Sequence, residues 1–543
     1  MTTRGCFQIL VALVGCVSSA AGQTAVRITG DTWTAGAQSV ERPAAAGGRS
    51  DAAALAAPFM LTARAWHKQP VPGGGTLNPV AYGDGASIDA SGTLAFTTII
   101  DGVPRNQGIF LADEDGLHPI AIGCGSGGGT GDPGTHCGDP TPIGGTFTGF
   151  FRGTYFIPAV NDAGDVMFLS DVVDGPSPRG LFLYRRVEDD IIKIAAVGDP
   201  SPMGGRIGMV GPGSINNARQ AVFLAYNEGS TVAQIFRWQD GAVSKVVAAG
   251  DPAPGGGTLQ ILAYETASFG DGTTMPVGAV PDINDSGQIA FFAIVSGGRG
   301  GQGLFVSRDG VHEWAVWRGQ PSPIGGTFLN FWHPLINNEG ELAFFTDVDL
   351  GGHGNSAWVV GRPGNWRKAV AFFDRIDDGE VRYLAVSRNP MRALDDCGNL
   401  LVWCMVLKED NSERSLQVLI TPSGQQIVTA GDNDPTPLGG VLNTFQGWPS
   451  MNNGGQMVLG SGILGGIGGT ESAHFLVELD HLKGDGDGDR DVDLKDLGLM
   501  VECLAGPADC PPQFACTVFD FDGNGRVDLR DAAGFQGAFT GGR

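Results

Sequence analysis

A nine-residue pattern recurs seven times along this chain of 543 residues and constrains the fold more than any other feature. The clearest copy is Ile-Asn-Asp-Ser-Gly-Gln-Ile-Ala-Phe at residues 283–291. Asn and Asp bond their own backbone and Gly accepts a positive φ, so each copy predicts a tight turn that leads into an apolar strand. The other copies begin at Ile88, Val160, Ile215, Ile336, Leu394 and Met451. Such a period indicates a repeat architecture.

Two further elements accompany the turn along the chain. A Gly-Asp-Pro-x-Pro-x-Gly-Gly sequence precedes the first strand, as at residues 198–205 and 250–257, and a Leu-Phe strand ends in Asp-Gly, as at residues 309–310. Asp-Gly between apolar runs is a hairpin signal. Four antiparallel strands per unit over residues 58–480 predict a mainly β fold, a seven-bladed β-propeller. An open solenoid is the competing architecture, but its repeats are usually shorter.

The two ends of the array predict how the ring closes. The last unit lacks its fourth strand, because the acidic tail begins directly after the third strand at residues 474–479. Residues 59–66 precede the first unit, where a fourth strand would stand. We therefore predict that residues 59–66 complete the last blade and that residue 61 lies close to residue 477.

The N-terminus has the features of an export signal. Arg4 precedes an apolar run and small residues continue to Gly22, which predicts a signal peptide over residues 1–22. A lipobox-like Leu-Val-Gly-Cys sequence leaves a lipid anchor at Cys16 as the alternative. Residues 23–57, rich in Ala and Gly, predict a linker. Because no later run suits a membrane helix, we expect the mature chain to be secreted or held at the cell surface.

Charge and cysteine content narrow the partners and the compartment. A formal net charge of −24 argues against nucleic acid as a partner, because phosphate binding needs a basic face. An exported chain can keep cysteines as disulfides. Cys124 and Cys137 bracket a Gly-rich insert, which makes them a candidate pair. Cys503 and Cys516 could join a helix to a loop, which leaves Cys510 free or paired elsewhere.

The sharpest chemical signal lies near the C-terminus, where two loops carry oxygen side chains at the spacing of an EF-hand calcium loop. The ligand positions of the second loop, with a backbone carbonyl at the fourth, are Asp520, Asp522, Asn524, Arg526, Asp528 and Asp531. Those of the first loop are Asp485, Asp487, Asp489, Asp491, Asp493 and Asp496. Gly525 supplies the sharp turn of the second loop, whereas Arg490 replaces it in the first. We predict two Ca²⁺ sites, each followed by a short amphipathic helix in which residues such as Leu497, Met500 and Val501 form the apolar face.

These motifs resemble two known groups. The tandem Asn-x-x-Gly-x-x-Ala-Phe units are similar to those of secreted bacterial repeat proteins, which implies secreted or surface placement. The paired loop-helix units over residues 484–541 resemble a type I dockerin. That resemblance implies calcium in the loops and a cohesin-like or other docking protein as the partner. Leu494-Lys495 and Leu529-Arg530 stand where cellulosomal dockerins commonly carry Ser or Thr, a departure that argues against a cellulosomal cohesin.

The repeats do not by themselves indicate catalysis. A site needs unlike groups, so the near-uniform Asn-Gly motif favours a structural role. No metal spacing of histidines and no Ser-His-Asp arrangement stands out. We expect an exported, non-catalytic recognition or scaffold propeller with a glycan or cell-surface ligand and a calcium-dependent docking module. The alternative is a polysaccharide-active propeller enzyme held in an assembly by its tail, which convergent carboxylates and aromatic residues at the central mouth would favour.

Overall fold

The computed structural model describes the chain from the first predicted strand onward, with short gaps. The described residues are 59–79, 85–124, 138–150, 156–230, 232–260, 266–268, 274–276, 280–352, 354–385, 392–480, 482–487, 491–505, 510–511 and 514–540. The predicted signal peptide and linker lie outside them.

Across these residues, seven antiparallel sheets of four or five strands follow one another along the chain, as the repeat predicts. Strand β1 is Phe59–Trp66. Blade one contains β2 (Thr76–Asn78), β3 (Ala86–Ile88), β4 (Leu94–Asp101), β5 (Gln107–Ala112) and β6 (Leu117–Gly123). Blade two contains β7 (Thr146–Phe150), β8 (Ala159–Val160), β9 (Val166–Val173), β10 (Arg179–Arg185) and β11 (Asp190–Ala196). Blade three contains β12 (Ile207–Ile215), β13 (Ala221–Asn227), β14 (Gln234–Gln239) and β15 (Ala242–Val247).

The remaining blades keep this plan. Blade four contains β16 (Thr258–Gln260), β19 (Asp282–Ile283), β20 (Ile289–Ser296), β21 (Gly301–Arg308) and β22 (Val311–Trp317), with a separate hairpin of β17 (Thr266–Ser268) and β18 (Thr274–Pro276). Blade five contains β23 (Thr327–Ile336), β24 (Leu342–Asp349), β25 (Gly354–Arg362) and β26 (Asn365–Ala371). Blade six contains β27 (Arg375–Ile376), β28 (Gly379–Leu384), β29 (Leu400–Lys408), β30 (Glu413–Ile420) and β31 (Gln426–Gly431). Blade seven contains β32 (Val441–Met451), β33 (Met457–Leu464), a 3₁₀ turn at Ile467–Gly469, and β34 (Ser472–Leu479).

The ring closes through the N-terminal strand, which confirms the prediction made from the incomplete last unit. Strand β1 pairs antiparallel with β34, and Leu61 lies opposite Val477. Blade seven thus has the strand order β1-β34-β33-β32. Ala65 of β1 and Leu476 of β34 are buried in one core with Phe96 of blade one, so the closing blade packs directly on the first.

Neighbouring blades bury both faces of the second strand of each sheet. In β24, Leu342 and Phe344 enter the core shared with blade four. The alternating residues Ala343 and Phe345 enter the core shared with blade six. Because successive side chains of a strand point to opposite faces, a continuous apolar run is what a strand between two blades requires.

The Gly-Asp-Pro motif caps a turn. Asp199 accepts the backbone N–H of Ala196 at 2.8 Å, and Asp251 accepts that of Ala248 at 2.8 Å. The motif therefore fastens the last strand of one blade to the connection that leads into the next.

The C-terminal module contains helix α1 (Leu494–Cys503), a 3₁₀ helix (Phe514–Phe519) and helix α2 (Asp531–Ala538). The predicted helix is present, but its apolar residues differ in burial: Met500 is buried, whereas Leu497 and Val501 are 40% and 59% exposed. The module is small, so α1 buries one face, including Met500 and Cys503, and leaves Leu497 and Val501 in solvent. Among the described helices, none combines the length and apolar character needed to cross a membrane.

The disulfides agree with the predicted pattern at the positions that the structure describes. Cys503 bonds Cys516 inside the module, as predicted. Cys510 bonds Cys397 of blade six, so its partner lies in the propeller, 113 residues away. Cys124 is disulfide-bonded, but Cys137 lies outside the described residues, so the predicted pair stays a prediction.

Candidate metal centre and propeller mouth

The second loop of the module gathers three of its predicted ligands. The carboxylate oxygens of Asp520, Asp522 and Asp531 lie within 4.8 Å of one another. Asp531 accepts the backbone N–H of Phe521 at 2.7 Å through one oxygen and that of Asp528 at 2.9 Å through the other. These two bonds hold the last carboxylate of the loop in place across the opening of the loop.

Other predicted ligands of the second loop hold its backbone. Asn524 accepts the N–H of Arg526 at 2.8 Å, and Asp528 accepts the N–H of Arg530 at 2.7 Å. Gly525 has a φ of 78°, which only glycine adopts freely, and donates its N–H to Asp520 at 2.8 Å. The predicted sharp turn is therefore present at this position.

The first loop repeats this arrangement. Asp485, Asp487 and Asp496 form one carboxylate group within 4.8 Å, and Asp491 and Asp493 form another with Asp496. Asp496 accepts the N–H of Gly486 at 2.8 Å and that of Asp493 at 2.8 Å, which matches the bonds of Asp531 in the second loop. The remaining predicted ligand, Asp489, lies outside the described residues.

The donor set suits a hard divalent cation. Carboxylate and carbonyl oxygens in a flexible loop are the ligands that Ca²⁺ prefers, and no soft sulfur or imidazole donor stands among the predicted ligands. Burial raises the pKa of Asp520 to about 6. A bound cation would lower that pKa again, because it favours the ionised carboxylate. The residues therefore fit Ca²⁺ chemically.

The two halves of the module exchange backbone bonds. Val492 and Val527, at equivalent positions of the two loops, are both buried in the module core. Thr540, which follows the second helix, donates its N–H to the carbonyl of Val492 at 3.0 Å. Ala505, which follows the first helix, donates its N–H to the carbonyl of Val527 at 3.1 Å. Each loop is therefore held by the segment that follows the opposite helix.

The module contacts the face of the propeller that carries the Asn-x-x-Gly turns, here called the turn face. Besides the Cys397–Cys510 disulfide, Arg526 donates to Glu339 of blade five at 2.8 Å. A Cβ atom at Gly525 would lie 3.1 Å from the Asn453 carbonyl oxygen of blade seven. The second loop and the segment before it thus contact three consecutive blades. A cavity of about 660 Å³ lies between the module and blades seven and one, lined among others by Ala90, Glu478, Lys483 and Asp522.

The Asn-x-x-Gly turns meet around the central channel and bond from blade to blade. In each of five bonds, an Asn side chain donates to the backbone carbonyl at the matching position of the next blade. The bonds run from Asn161 to Asn216 (3.3 Å), Asn216 to Asn284 (2.9 Å), Asn284 to Asn337 (2.9 Å), Asn337 to Asp395 (2.9 Å) and Asn452 to Asp89 (2.9 Å). The repeated Asn is therefore structural, as the sequence indicates, but it joins blades as well as forming a turn.

The next residue of each turn forms a second ring, here called the mouth ring. Its members alternate between acid and amide from blade two to blade seven: Asp162, Asn217, Asp285, Asn338, Asp396 and Asn453. The backbone N–H of each of the first five members donates to the side chain of the next member, as from Asp285 to Asn338 at 2.8 Å. Each amide also donates to acids, as from Asn338 to Asp285 at 2.9 Å. In blade one the position is Ala90, which has no side-chain oxygen, so the ring stops there.

The central channel also carries two charged residues that do not repeat from blade to blade. Asp282 and Arg392 line a cavity of about 60 Å³ just inside the mouth ring. Asp282 accepts the N–H of Ile336 at 2.9 Å, and burial raises its pKa to about 6. Arg392 donates to Asp162 of the mouth ring. The cavity has room for only a few water molecules.

Sequence reasoning missed the mouth ring and the junction of the module with the propeller. The alternation of Asp and Asn was visible once the repeats were aligned, but its meaning depends on knowing that the turns meet. Glu339, Cys397 and Asn453 carry no local signal for contact with the module, because the contact joins segments far apart in the chain.

Comparison with known proteins gives one family model and several solved structures. The model of a family of unknown function, DUF7453, matches residues 51–274 and 259–357. No curated protein matches the sequence significantly.

Three solved structures illustrate the similarity. A protein of unknown function from Dyadobacter fermentans DSM 18053 is 13% identical with a TM-score of 0.30, over 78% of this chain and 99% of that chain. A puromycin-hydrolyzing peptidase from Mycobacterium tuberculosis is 12% identical with a TM-score of 0.40, over 74% and 52%. The GH74 xyloglucanase from Xanthomonas campestris is 12% identical with a TM-score of 0.33, over 76% and 60%. The chain thus spans little more than half the length of the last two proteins.

The two regions of the family match together run from residue 51 to residue 357, which is more than half of the chain. The chain therefore belongs to the family of unknown function DUF7453.

Proposed function

We propose that this protein is an exported recognition or scaffold propeller whose C-terminal module binds two Ca²⁺ ions and docks a partner protein. The observation that carries the proposal is the duplication in the module: Asp496 and Asp531 close two carboxylate groups with the same backbone bonds. A solvated acidic tail has no reason to repeat such a pattern. The disulfides agree with an oxidising compartment.

The docking part of the proposal rests on an exposed apolar stripe. Leu494, Leu497, Val501 and Leu504 follow one face of α1 and its end, and they are 38% to 73% exposed. Leu529, at the position of the second loop that matches Leu494, is 81% exposed. Exposed apolar residues at matching positions of both halves suit a protein partner of the cohesin-like kind.

Calcium titration of the full-length protein tests the metal sites. Isothermal titration calorimetry should give two sites in the parent protein. Asp496→Asn and Asp531→Asn should each remove one site, because each loses the carboxylate that closes its loop. Asp309→Asn, in a hairpin turn of blade four, is the matched control and should keep both sites. Absence of calcium binding by the parent protein would overturn the proposal.

The alternative of a polysaccharide-active enzyme is not favoured at the described end of the channel. Asp282 and Arg392 are unlike groups close together, but their cavity of about 60 Å³ is far smaller than a sugar-binding cleft. The propeller's own ligand is therefore proposed only by class, as a glycan or another cell-surface molecule.

A further inference from the structure

The closing blade of the propeller lacks one of the contacts that join other blades at the mouth. Strand β1, eight residues long, is its outermost strand and pairs only with β34 among the described strands. At the mouth, Asn452 donates to Asp89 across the closure at 2.9 Å. The mouth ring adds no side-chain bond there, because Ala90 replaces the acid or amide. The junction of blade seven with blade one therefore lacks a contact that five other junctions have.

The module packs directly on the closing blade, on the side of blade seven that faces blade six. Phe514, at the start of the 3₁₀ helix, is buried in the core of blade seven with Met457 and Phe475. Its ring lies 6.5 Å from the ring of Phe59, the first residue of β1. A Cβ atom at Gly455 would lie 3.1 Å from the same ring, so the turn of blade seven is shaped to receive Phe514.

Further contacts fix the module against the adjoining blades. The Cys397–Cys510 disulfide fastens it to blade six, and Arg526 pairs with Glu339 of blade five. Gly525 lies against Asn453 of blade seven. These contacts come from the second loop and from the segment before it, on the side of the module that faces the propeller, whereas Leu494 and Leu497 remain exposed.

We propose that the turn face of blades five to seven is a docking surface for the chain's own C-terminal module, and that the docked module acts as a clasp that keeps β1 in the closing blade. Apolar packing, an ion pair and a disulfide hold the module in this position, so the clasp does not require a metal ion. One extension rests on the proposed function: Ca²⁺ in the second loop fixes Gly525 and Arg526, and so strengthens the clasp.

Hydrogen exchange of the full-length protein, followed by mass spectrometry, tests the clasp. Phe514→Ala should speed exchange at residues 59–66 at least about tenfold, because β1 loses the ring packed against its first residue. Exchange in blade three should not change. Phe539→Ala is the matched control, since Phe539 is a 42% exposed aromatic residue of the same module. Unchanged exchange at residues 59–66 in Phe514→Ala would overturn the clasp.

Phe514→Ala could unfold the module, and loss of protection against hydrogen exchange in α1 would reveal this. A second variant covers that case. Cys510→Ser removes the tie to blade six and leaves the module core intact. It should also speed exchange at residues 59–66, and unchanged exchange there would overturn the clasp.

Adding calcium to the parent protein separates the two proposals. Failure to bind calcium refutes the proposed function alone, whereas binding without slower exchange at residues 59–66 refutes the calcium extension.

Discussion

Asp395 occupies the turn position at which five other blades carry Asn, and it cannot donate a hydrogen bond when ionised. Its carboxylate accepts the N–H of Asn399 at 2.8 Å and the side-chain amide of Asn399 at 2.7 Å. Burial raises the pKa of Asp395 from 3.8 to about 7. The folded state therefore binds this proton more tightly than the unfolded state. The resulting stabilisation is complete below about pH 4 and is lost as the pH rises through about 7.

Asp395→Asn should stabilise the propeller at pH 8 by on the order of 2 kcal/mol and have little effect at pH 4. The amide removes the buried charge and can donate to the next blade, as Asn337 does. Urea unfolding of both proteins at the two pH values measures the difference. A stability change that is the same at pH 4 and pH 8 would refute this account of Asp395.

Arg219 shows that a turn can tolerate a residue that its backbone disfavours. It replaces the turn glycine in blade three and has a φ of 56°. Its guanidinium pairs with Asp165 at 2.8 Å and with Glu188 at 2.7 Å. Although burial opposes it, hydrogen bonds from Arg219 and Asn161 lower the pKa of Asp165. The side chain thus offsets a backbone cost by joining blade three to blade two.

Strand β1 is the element on which closure of the ring depends. A chain that begins at residue 67 should leave β34 as an open edge and lower the melting temperature by at least about 5 °C. A synthetic peptide of residues 59–66 should restore part of that loss, since the pairing is antiparallel and regular except for one bulge. Circular dichroism melts with and without the peptide measure both effects. A shortened chain that melts like the parent would show that β1 is dispensable.

The elements of the propeller were predictable because their signals are local. The turn at residues 283–291 needs only a positive φ at Gly287 and the self-bonding of Asn284, and both are present. The pairing of β1 followed from counting strands. The partner of Cys510 could not be predicted from the sequence, because cysteine spacing does not show which surfaces meet. The exposed face of α1 did not follow either, because helical spacing identifies an apolar stripe without showing whether anything covers it.

At the scale of the whole molecule, the module and the propeller form one connected structure. The Cys397–Cys510 disulfide and the Arg526–Glu339 pair join them on one face. We expect scanning calorimetry of the parent protein to show a single transition that includes the module. Cys397→Ser with Cys510→Ser should produce a separate, earlier transition for the module, since the module then depends on its small core and on the calcium proposed for its loops.

The control for this experiment is Cys404→Ser, which removes a buried cysteine of blade six that takes no part in a disulfide. It should keep the single transition, although at a lower temperature if the hydroxyl is poorly accommodated. A single transition in the double variant would contradict the expected dependence of the module on its covalent tie.

Parity explains why the alternation of acids and amides in the mouth ring cannot run unbroken around the propeller. A closed circle in which acids and amides alternate needs an even number of members, and this propeller has an odd number of blades. Either two neighbouring members must be of the same kind or one blade must carry neither, and here blade one carries Ala90. Every seven-bladed ring of this design therefore has at least one interruption of the alternation, here called a seam. In this chain the seam adjoins the blade where the two ends of the propeller meet, beside the cavity against which the C-terminal module is fastened.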